Sequence, residues 1–271
     1  MRSLYPISRW ASVFIVLPWV VAAPPDATSA ELKRETIQAF EQHIRATEAR
    51  LPAPTQAGQS FLWADAVPGR QSKIRQAGVL VEATSGKGER EVRGGLIHDW
   101  VGSTFVPGVT LERALSFVKN YDNHKNVYQP EVVESRILSH SGNDYRIFLR
   151  LMKKKVLTVV LNTKHDVRYF PVDETRAHSR SYSTRIAEVE NPGTPQEREK
   201  PIGNDHGFLW RLYSYWRFQE RDGGVWIECQ AISLTRNVPT GLGWLIKPII
   251  RDLPKESLTN TLRATREALS R

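Results

Sequence analysis

The sequence predicts an α+β fold, in which a curved antiparallel β-sheet wraps around a long C-terminal helix and an extra helix lies on the N-terminal side. Three observations predict it: strand-like segments from Pro130 onward, an aromatic hairpin over residues 207–237, and a helical closing segment over residues 244–270. An amphipathic helix and a half-apolar sheet cannot bury their apolar faces alone. Packing one against the other satisfies both.

The first 30 residues are typical of a secretory signal peptide. Arg2 and Arg9 precede an apolar run of 14 residues from Trp10 to Ala23, and small residues offer cleavage sites after Ala23 or Ala30. This run is shorter than the ~20 residues that span a bilayer, although an uncleaved anchor is the alternative. We therefore expect export, to the periplasm or outside the cell.

The next segment predicts a helix and a linker. In residues 31–51 apolar side chains recur at spacings of three, four and seven, which indicates one helix. Pro52 and Pro54 end it, and the chain up to residue 60 is predicted to be a Pro-rich linker. The main domain is then expected to cover residues 61–271.

The main domain is predicted to begin with two strands and a helix. Strand patterns cover residues 77–83 and 92–106, separated by a Gly-rich loop. Thr110 can cap the following helix, which breaks at residues 121–124 before a short helix at 125–129.

Strands then dominate the chain. A Pro- and Gly-rich loop over residues 191–205 separates them from the aromatic hairpin. The predicted strands are Val132–Leu138, Asp144–Met152, Val156–Lys164 and Arg176–Val189.

The turn of the hairpin predicts its register. Asp222 and Gly223 tolerate the positive φ of a two-residue type I′ turn, which would place Phe218 opposite Ile227. The face that carries this pair is apolar but includes small residues, so it is predicted to be a cavity wall, with a filled core as the alternative. The opposite face would pair Arg217 with Glu228, so we expect it to be solvated.

The closing segment predicts a kinked helix that covers the sheet. Its leucines and isoleucines recur at helical spacing, and Pro248 and Pro254 indicate a restart near Leu253. A membrane-surface helix is the alternative.

Two stretches resemble a known superfamily: F-V-P-G-V-T-L-E-R-A-L-S-F-V-K-N-Y-D-N-H at 105–124 and G-L-G-W-L-I-K-P-I-I-R-D-L-P-K-E-S-L-T-N-T-L at 241–262. They are similar to the START-like (SRPBCC) superfamily, also called the helix-grip fold or the polyketide cyclase/lipid transport group. The resemblance implies a hydrophobic cavity between the sheet and the C-terminal helix, binding a lipid or another apolar small molecule. The candidate lining residues are Trp210, Leu212, Ser214, Trp216, Phe218, Ile227, Cys229, Ala231, Tyr121, Trp244 and Ile249.

The sequence lacks the spacings of common catalytic centres. None of the seven histidines forms a tight zinc spacing, and neither a G-x-S-x-G elbow nor a glycine-rich phosphate loop occurs. We therefore expect no metal, no cofactor and a non-catalytic module. A cyclase- or hydrolase-like enzyme on the same fold is the alternative, with Tyr121, Asp122, His124, Arg211 and Glu228 as its candidate residues. The single cysteine, Cys229, is predicted to be a buried core residue.

Charge suggests affinity for anionic partners. The net charge is +9, and removal of residues 1–23 would leave +7, because only Arg2 and Arg9 are lost. The one dense basic run, Lys153–Lys155, predicts either a solvated turn or a contact with an anionic membrane surface. The second possibility gives a further functional alternative, a basic envelope-associated interaction protein. No nucleic-acid-binding signature is present, and the sequence leaves the oligomeric state open.

Overall fold

The computed structural model of the chain describes residues 30–51, 60–155, 157–238 and 246–271. The helices are α1 (Arg34–Glu48), α2 (Arg70–Ala77), α3 (Leu111–Lys119), α4 (His124–Val127) and α5 (Leu253–Leu269). The strands are β1 (Ala30–Glu31), β2 (Val79–Ala83), β3 (Glu89–Val92), β4 (Gly95–Pro107), β5 (Val132–Ser141), β6 (Asp144–Lys154), β7 (Thr158–Pro171), β8 (Arg176–Glu190), β9 (Arg198–Glu199), β10 (Asn204–Asp205), β11 (Arg211–Arg221) and β12 (Gly224–Thr235).

One large antiparallel sheet organises the domain. Its strands lie in the order β2-β4-β12-β11-β8-β7-β6-β5, while β3 pairs with β4 and β9 with β8. The short strands β1 and β10 pair with each other. With α5 packed on one face of this sheet, the predicted α+β helix-grip fold is confirmed. We call the face that contacts α5 the inner face and the opposite one the outer face.

The terminal helix begins where the prolines predict. A π-helical turn over Pro248–Asp252 precedes α5, and Pro254 lies in the first turn, where its missing N–H costs no hydrogen bond. Leu258 and Leu262 then pack on the inner face. At Gly102 an added Cβ would lie 2.6 Å from the Leu262 Cδ1 atom, so the helix approaches β4 as closely as a side-chain-free residue allows.

The register of the hairpin β11–β12 is as predicted. Phe218 lies opposite Ile227, and Asp222 and Gly223 have φ angles of 57° and 71°, which a type I′ turn requires.

The expectation that the Arg217 face of the hairpin is solvated was wrong. Arg217 is 8% exposed and Glu228 is fully buried, and the Arg217 Nη1 and Glu228 Oε1 atoms lie 3.1 Å apart. Glu228 Oε2 also accepts a hydrogen bond of 3.2 Å from the Ala64 N–H. Strand alternation separates the two faces of a sheet but does not say what covers each of them.

Two segments of the N-terminal third cover that outer face. Helix α1 packs Phe40 and Ile44 against Ile232 and Leu234. Residues 61–77 pack Ile74 and their neighbours around the buried Trp226 ring.

Several elements differ from the sequence prediction. Helix α2 and the short strands β9 and β10 were not predicted, and β7 runs on to Pro171 rather than ending at Lys164. The pairing of β7 with β8 shifts register between Lys164 and His165, at the residue where the strand was predicted to end. The predicted signal peptide and most of the predicted linker lie outside the described residues. Among the helices described, none is long and apolar enough to cross a membrane.

Candidate functional site

A cavity of about 300 Å³ lies between the inner face of the sheet and the helices. Strands β6, β7, β8, β11 and β12 form its floor, and the start of α5 covers it through Leu253, Leu258 and Thr261. The segment from α3 to α4 closes one end with Tyr121 and His124. The lining is mainly apolar, as in sites that hold small hydrophobic molecules.

Small side chains on neighbouring strands create this space. Ser214 of β11 lies between Ser181 of β8 and Ala231 of β12 in adjacent pairing positions. Ser179 and Ser233 continue the same lining. Because serine and alanine reach only a short distance above the sheet, the helix above them leaves room.

Most of the residues expected from the sequence line this cavity. They are Leu212, Ser214, Trp216, Phe218, Cys229, Ala231, Tyr121 and Ile249. Ile227 lies on the same face but in the filled core beside the cavity. Trp244 lies outside the described residues.

Trp210 was predicted to line the cavity, but the structure places it elsewhere. It packs with Phe40 and Ile232 on the outer face, and its indole N–H donates a 2.9 Å hydrogen bond to Asp205 Oδ1. A buried indole N–H needs an acceptor, and Asp205 supplies one on the outer face. The side chain therefore turns to the face where Asp205 lies.

Residues from β7 and β8 were missed. His165, Tyr169, Ser179 and Ser181 all line the cavity. The signal was present in the sequence S-R-S-Y-S at 179–183, where serines alternate with large residues. Alternating small residues on a strand that faces a helix indicate space, but strand alternation alone does not identify which face meets the helix.

An aromatic cluster forms one end of the cavity. The hydroxyl oxygens of Tyr121 and Tyr169 lie 2.7 Å apart, and the rings of Tyr121 and His124 have centroids 4.7 Å apart. Burial raises the pKa of both tyrosines well above the usual value. These hydroxyls are therefore protonated at neutral pH and act as neutral hydrogen-bonding groups.

Two histidines in the lining are neutral. Burial lowers the pKa of both His124 and His165 to about 4. His165 Nε2 lies 3.0 Å from Thr163 Oγ1, whose own hydrogen goes to the Leu149 carbonyl, so His165 Nε2 is the donor. The cavity thus gains polarity from these rings without gaining charge.

The catalytic candidates only partly converge. Tyr121 and His124 line the cavity, but Asp122 accepts a hydrogen bond from the Ile137 N–H and is exposed. Arg211 donates to the Trp210 carbonyl, and Glu228 lies on the outer face. Within the described ranges no cluster of three or more acidic, histidine or cysteine side chains could hold a metal ion.

The lysine run is largely paired. Lys153 forms an ion pair with Glu131, and the Lys155 Nζ atom lies 2.8 Å from Glu256 Oε2. Burial lowers the pKa of Lys153, against the opposing effect of Glu131. Two of the three lysines therefore serve contacts within the domain.

Comparisons place this architecture among known structures. No protein-family model matches the chain, and a search of curated proteins found no significant match. The chain is similar to a STAR-related lipid transfer protein from Xanthomonas axonopodis, at 15% identity and a TM-score of 0.46, over 72% of this chain and 99% of that chain. It is also similar to human STARD10, at 11% identity and a TM-score of 0.40, over 79% and 84% of the two chains.

A third similar structure is the Zhui aromatase/cyclase from Streptomyces sp. R1128, at 11% identity and a TM-score of 0.40, over 65% of this chain and 94% of that one. START-like proteins are thus among the structural neighbours, as the resemblance in the sequence implied. These likenesses are distant, so the functional argument rests on the cavity itself.

Proposed function

We propose that this chain is an exported, non-catalytic module that binds a lipid or another hydrophobic small molecule in the cavity of the inner face. The observation that carries the proposal is a space of about 300 Å³ with a mainly apolar lining, kept open by serine and alanine residues on three neighbouring strands. An apolar cavity is stabilised when an apolar molecule fills it, because the lining then regains its van der Waals contacts.

Organic extraction and mass spectrometry of the natively purified protein test the proposal. We expect an apolar molecule at close to one equivalent per chain. A clean blank, together with no uptake of added apolar probes, would contradict it.

A cavity-filling variant links the bound molecule to this cavity. Ser214→Leu places a larger side chain in the space between β11 and α5, so the extracted molecule should be lost while the fold is retained. Ser141→Leu, at an exposed position of β5, is the matched control and should retain the molecule. Equal retention in both variants would mean that the molecule binds elsewhere.

An enzyme on the same fold is the second candidate, favoured by the convergence of Tyr121 and His124 in the lining. It predicts that the molecule extracted from the Tyr121→Phe/His124→Gln variant differs chemically from the molecule extracted from the wild type, because only the wild type would convert it. Identical molecules from both would favour the binding function.

Export is proposed from the sequence of residues 1–30. Expression of the full chain in a bacterium, followed by fractionation and N-terminal sequencing, should find a mature protein that begins after Ala23 or Ala30. An intact N-terminus in the cytosol would contradict this.

Peripheral contact with an anionic membrane surface is proposed from the net charge. Sedimentation with phosphatidylserine vesicles should fall as salt is added, since screening weakens such contacts. Sedimentation that does not respond to salt would contradict it.

A further inference from the structure

The end of the cavity closed by Tyr121 and Tyr169 carries a hydrogen-bond donor that the protein does not use. Both residues line the cavity, and both are at least nine-tenths buried. Their hydroxyl oxygens are 2.7 Å apart. We call this arrangement the tyrosine pair.

Counting hydrogens identifies the unused donor. Two neutral hydroxyls carry two hydrogens, and the single contact between their oxygens uses one of them. In the part of the chain that the structure describes, no hydrogen bond gives the second hydrogen an acceptor. Whichever oxygen donates within the pair, one O–H remains.

Tyr128, another tyrosine of the lining, shows the contrast. Its hydroxyl lies 3.0 Å from Thr265 Oγ1, and Thr265 donates its own hydrogen to the Thr261 carbonyl. The Tyr128 hydroxyl must therefore donate to Thr265, and its hydrogen is used within the protein. The unused donor is thus a property of the tyrosine pair and not of every tyrosine in the lining.

His124 adds an acceptor beside the pair. A carbonyl oxygen only accepts, so the His124 Nε2 atom, 3.1 Å from the Val118 carbonyl oxygen, carries the hydrogen. The Nδ1 atom of the neutral ring is then left as an acceptor. The only charged side chains among the described lining residues are Glu131 and Lys153, which pair with each other.

We infer that the tyrosine pair is a polar subsite for a neutral oxygen, a hydroxyl or carbonyl group carried by an otherwise apolar ligand. This inference rests on the proposed function and narrows the ligand class. An unmet buried donor is costly, whereas a ligand oxygen that accepts its hydrogen removes that cost. A carboxylate would have to lose its water without finding an unpaired cation in the described lining, so acids should bind less well.

Naphthalene, 2-naphthol and 2-naphthoate are probes that share one ring system and differ in the polar group. Their dissociation constants for the full mature protein are measured by the intrinsic fluorescence of each probe. We expect 2-naphthol to bind about 2- to 10-fold more tightly than naphthalene, the range that a net hydrogen bond gives. We expect 2-naphthoate to bind more weakly than 2-naphthol.

The decisive variant is the double change Tyr121→Phe/Tyr169→Phe. A single Tyr→Phe change removes the partner as well as one hydrogen, so one free hydroxyl would remain; only the double variant removes the donor. It should abolish the preference for 2-naphthol and leave naphthalene binding in place. The matched control is Tyr215→Phe, which removes a buried hydroxyl on the outer face, where it donates to Glu48. It should keep the preference.

A measurement on the wild type covers the case in which the double variant does not fold. Bound 2-acetonaphthone should show its carbonyl stretching band at lower wavenumber than in hexane, because the carbonyl accepts a hydrogen bond. Three results would each overturn the proposed subsite. They are an unshifted carbonyl band, a preference for 2-naphthol over naphthalene that survives the double change, and 2-naphthoate that binds as tightly as 2-naphthol. If naphthalene binds as tightly as 2-naphthol, the subsite fails and the cavity function stands. If neither binds, both proposals fail.

Discussion

The two faces of the hairpin β11–β12 are both covered by other segments of the chain, but the inner face borders a cavity whereas the outer face is filled by side chains. On the inner face Ser214 and Ala231 lie opposite each other beneath the cavity. On the outer face, at the next residue pair towards the turn, Tyr215 and Gln230 are opposite each other, and Tyr215 packs against helix α1. A strand face can therefore be covered by another segment without being filled by side chains.

Side-chain reach explains the difference. Tyr215 extends far enough to donate its hydroxyl hydrogen to Glu48 of α1, and Gln230 donates to Asp99, which also contacts His43. Long polar residues on the outer face can fill space and satisfy one another's hydrogen bonds. Serine and alanine on the inner face cannot reach the helix, and the gap between them is the cavity.

The largest loss of stability is expected from a change that breaks the polar packing of the outer face. Arg217→Met removes the cation that lies 3.1 Å from the fully buried Glu228. Because Glu228 would remain buried without its partner, the free energy of unfolding in urea should fall by about 3–5 kcal/mol.

The double variant Arg217→Met/Glu228→Leu is the control. It replaces both charges, so it should recover much of the lost stability, apart from the Ala64 N–H that loses its acceptor. A double variant less stable than the single one would mean that the cost arises from lost packing and not from an unpaired charge.

This outer face also marks the limit of what the sequence could predict. The order of elements, the hairpin register and the restart of the helix at Leu253 follow from local rules of turns, alternation and proline. That Ser214 and Ala231 lie opposite each other on one face follows from the same rules. That Arg217 and Glu228 lie under residues 61–77 does not, because coverage depends on contacts between segments more than 100 residues apart in sequence.

The same limit applies within the cavity. Tyr121 was predicted to line it because it lies at a helix break, but its partner Tyr169 lies on a strand that was predicted to end at Lys164. A pair formed by residues 48 positions apart could be found only once the strand pairing was known.

A smaller effect on stability should distinguish the cavity side of β12 from its filled side, at two neighbouring positions of the strand. Ala231→Leu adds a side chain that can enter the cavity, so stability should change by less than about 1 kcal/mol. Ile232→Phe enlarges a fully buried residue of the outer face and should destabilise the fold by about 1–3 kcal/mol, because a packed core has no room. Urea denaturation measures both, and equal losses would contradict a hollow inner face.

The smallest expected effect is the change in the free energy of unfolding with pH that a histidine of the inner face causes. Burial lowers the pKa of His165 in the native state to about 4, against 6.5 as its ordinary value. Between these values the unfolded chain binds the proton more readily, so stability is lost as pH falls from 6.5 towards 4. The contribution of His165 to this slope is at most about 1.4 kcal/mol per pH unit.

His165→Gln should therefore flatten the fall in unfolding free energy between pH 6.5 and 4, measured by urea denaturation at each pH. Gln can still donate to Thr163, so the comparison removes the titration and keeps the hydrogen bond. His140→Gln, the same change at an exposed position of β5, is the matched control for the substitution itself. A slope unchanged by His165→Gln would mean that water reaches this part of the cavity and that His165 is protonated without loss of the fold.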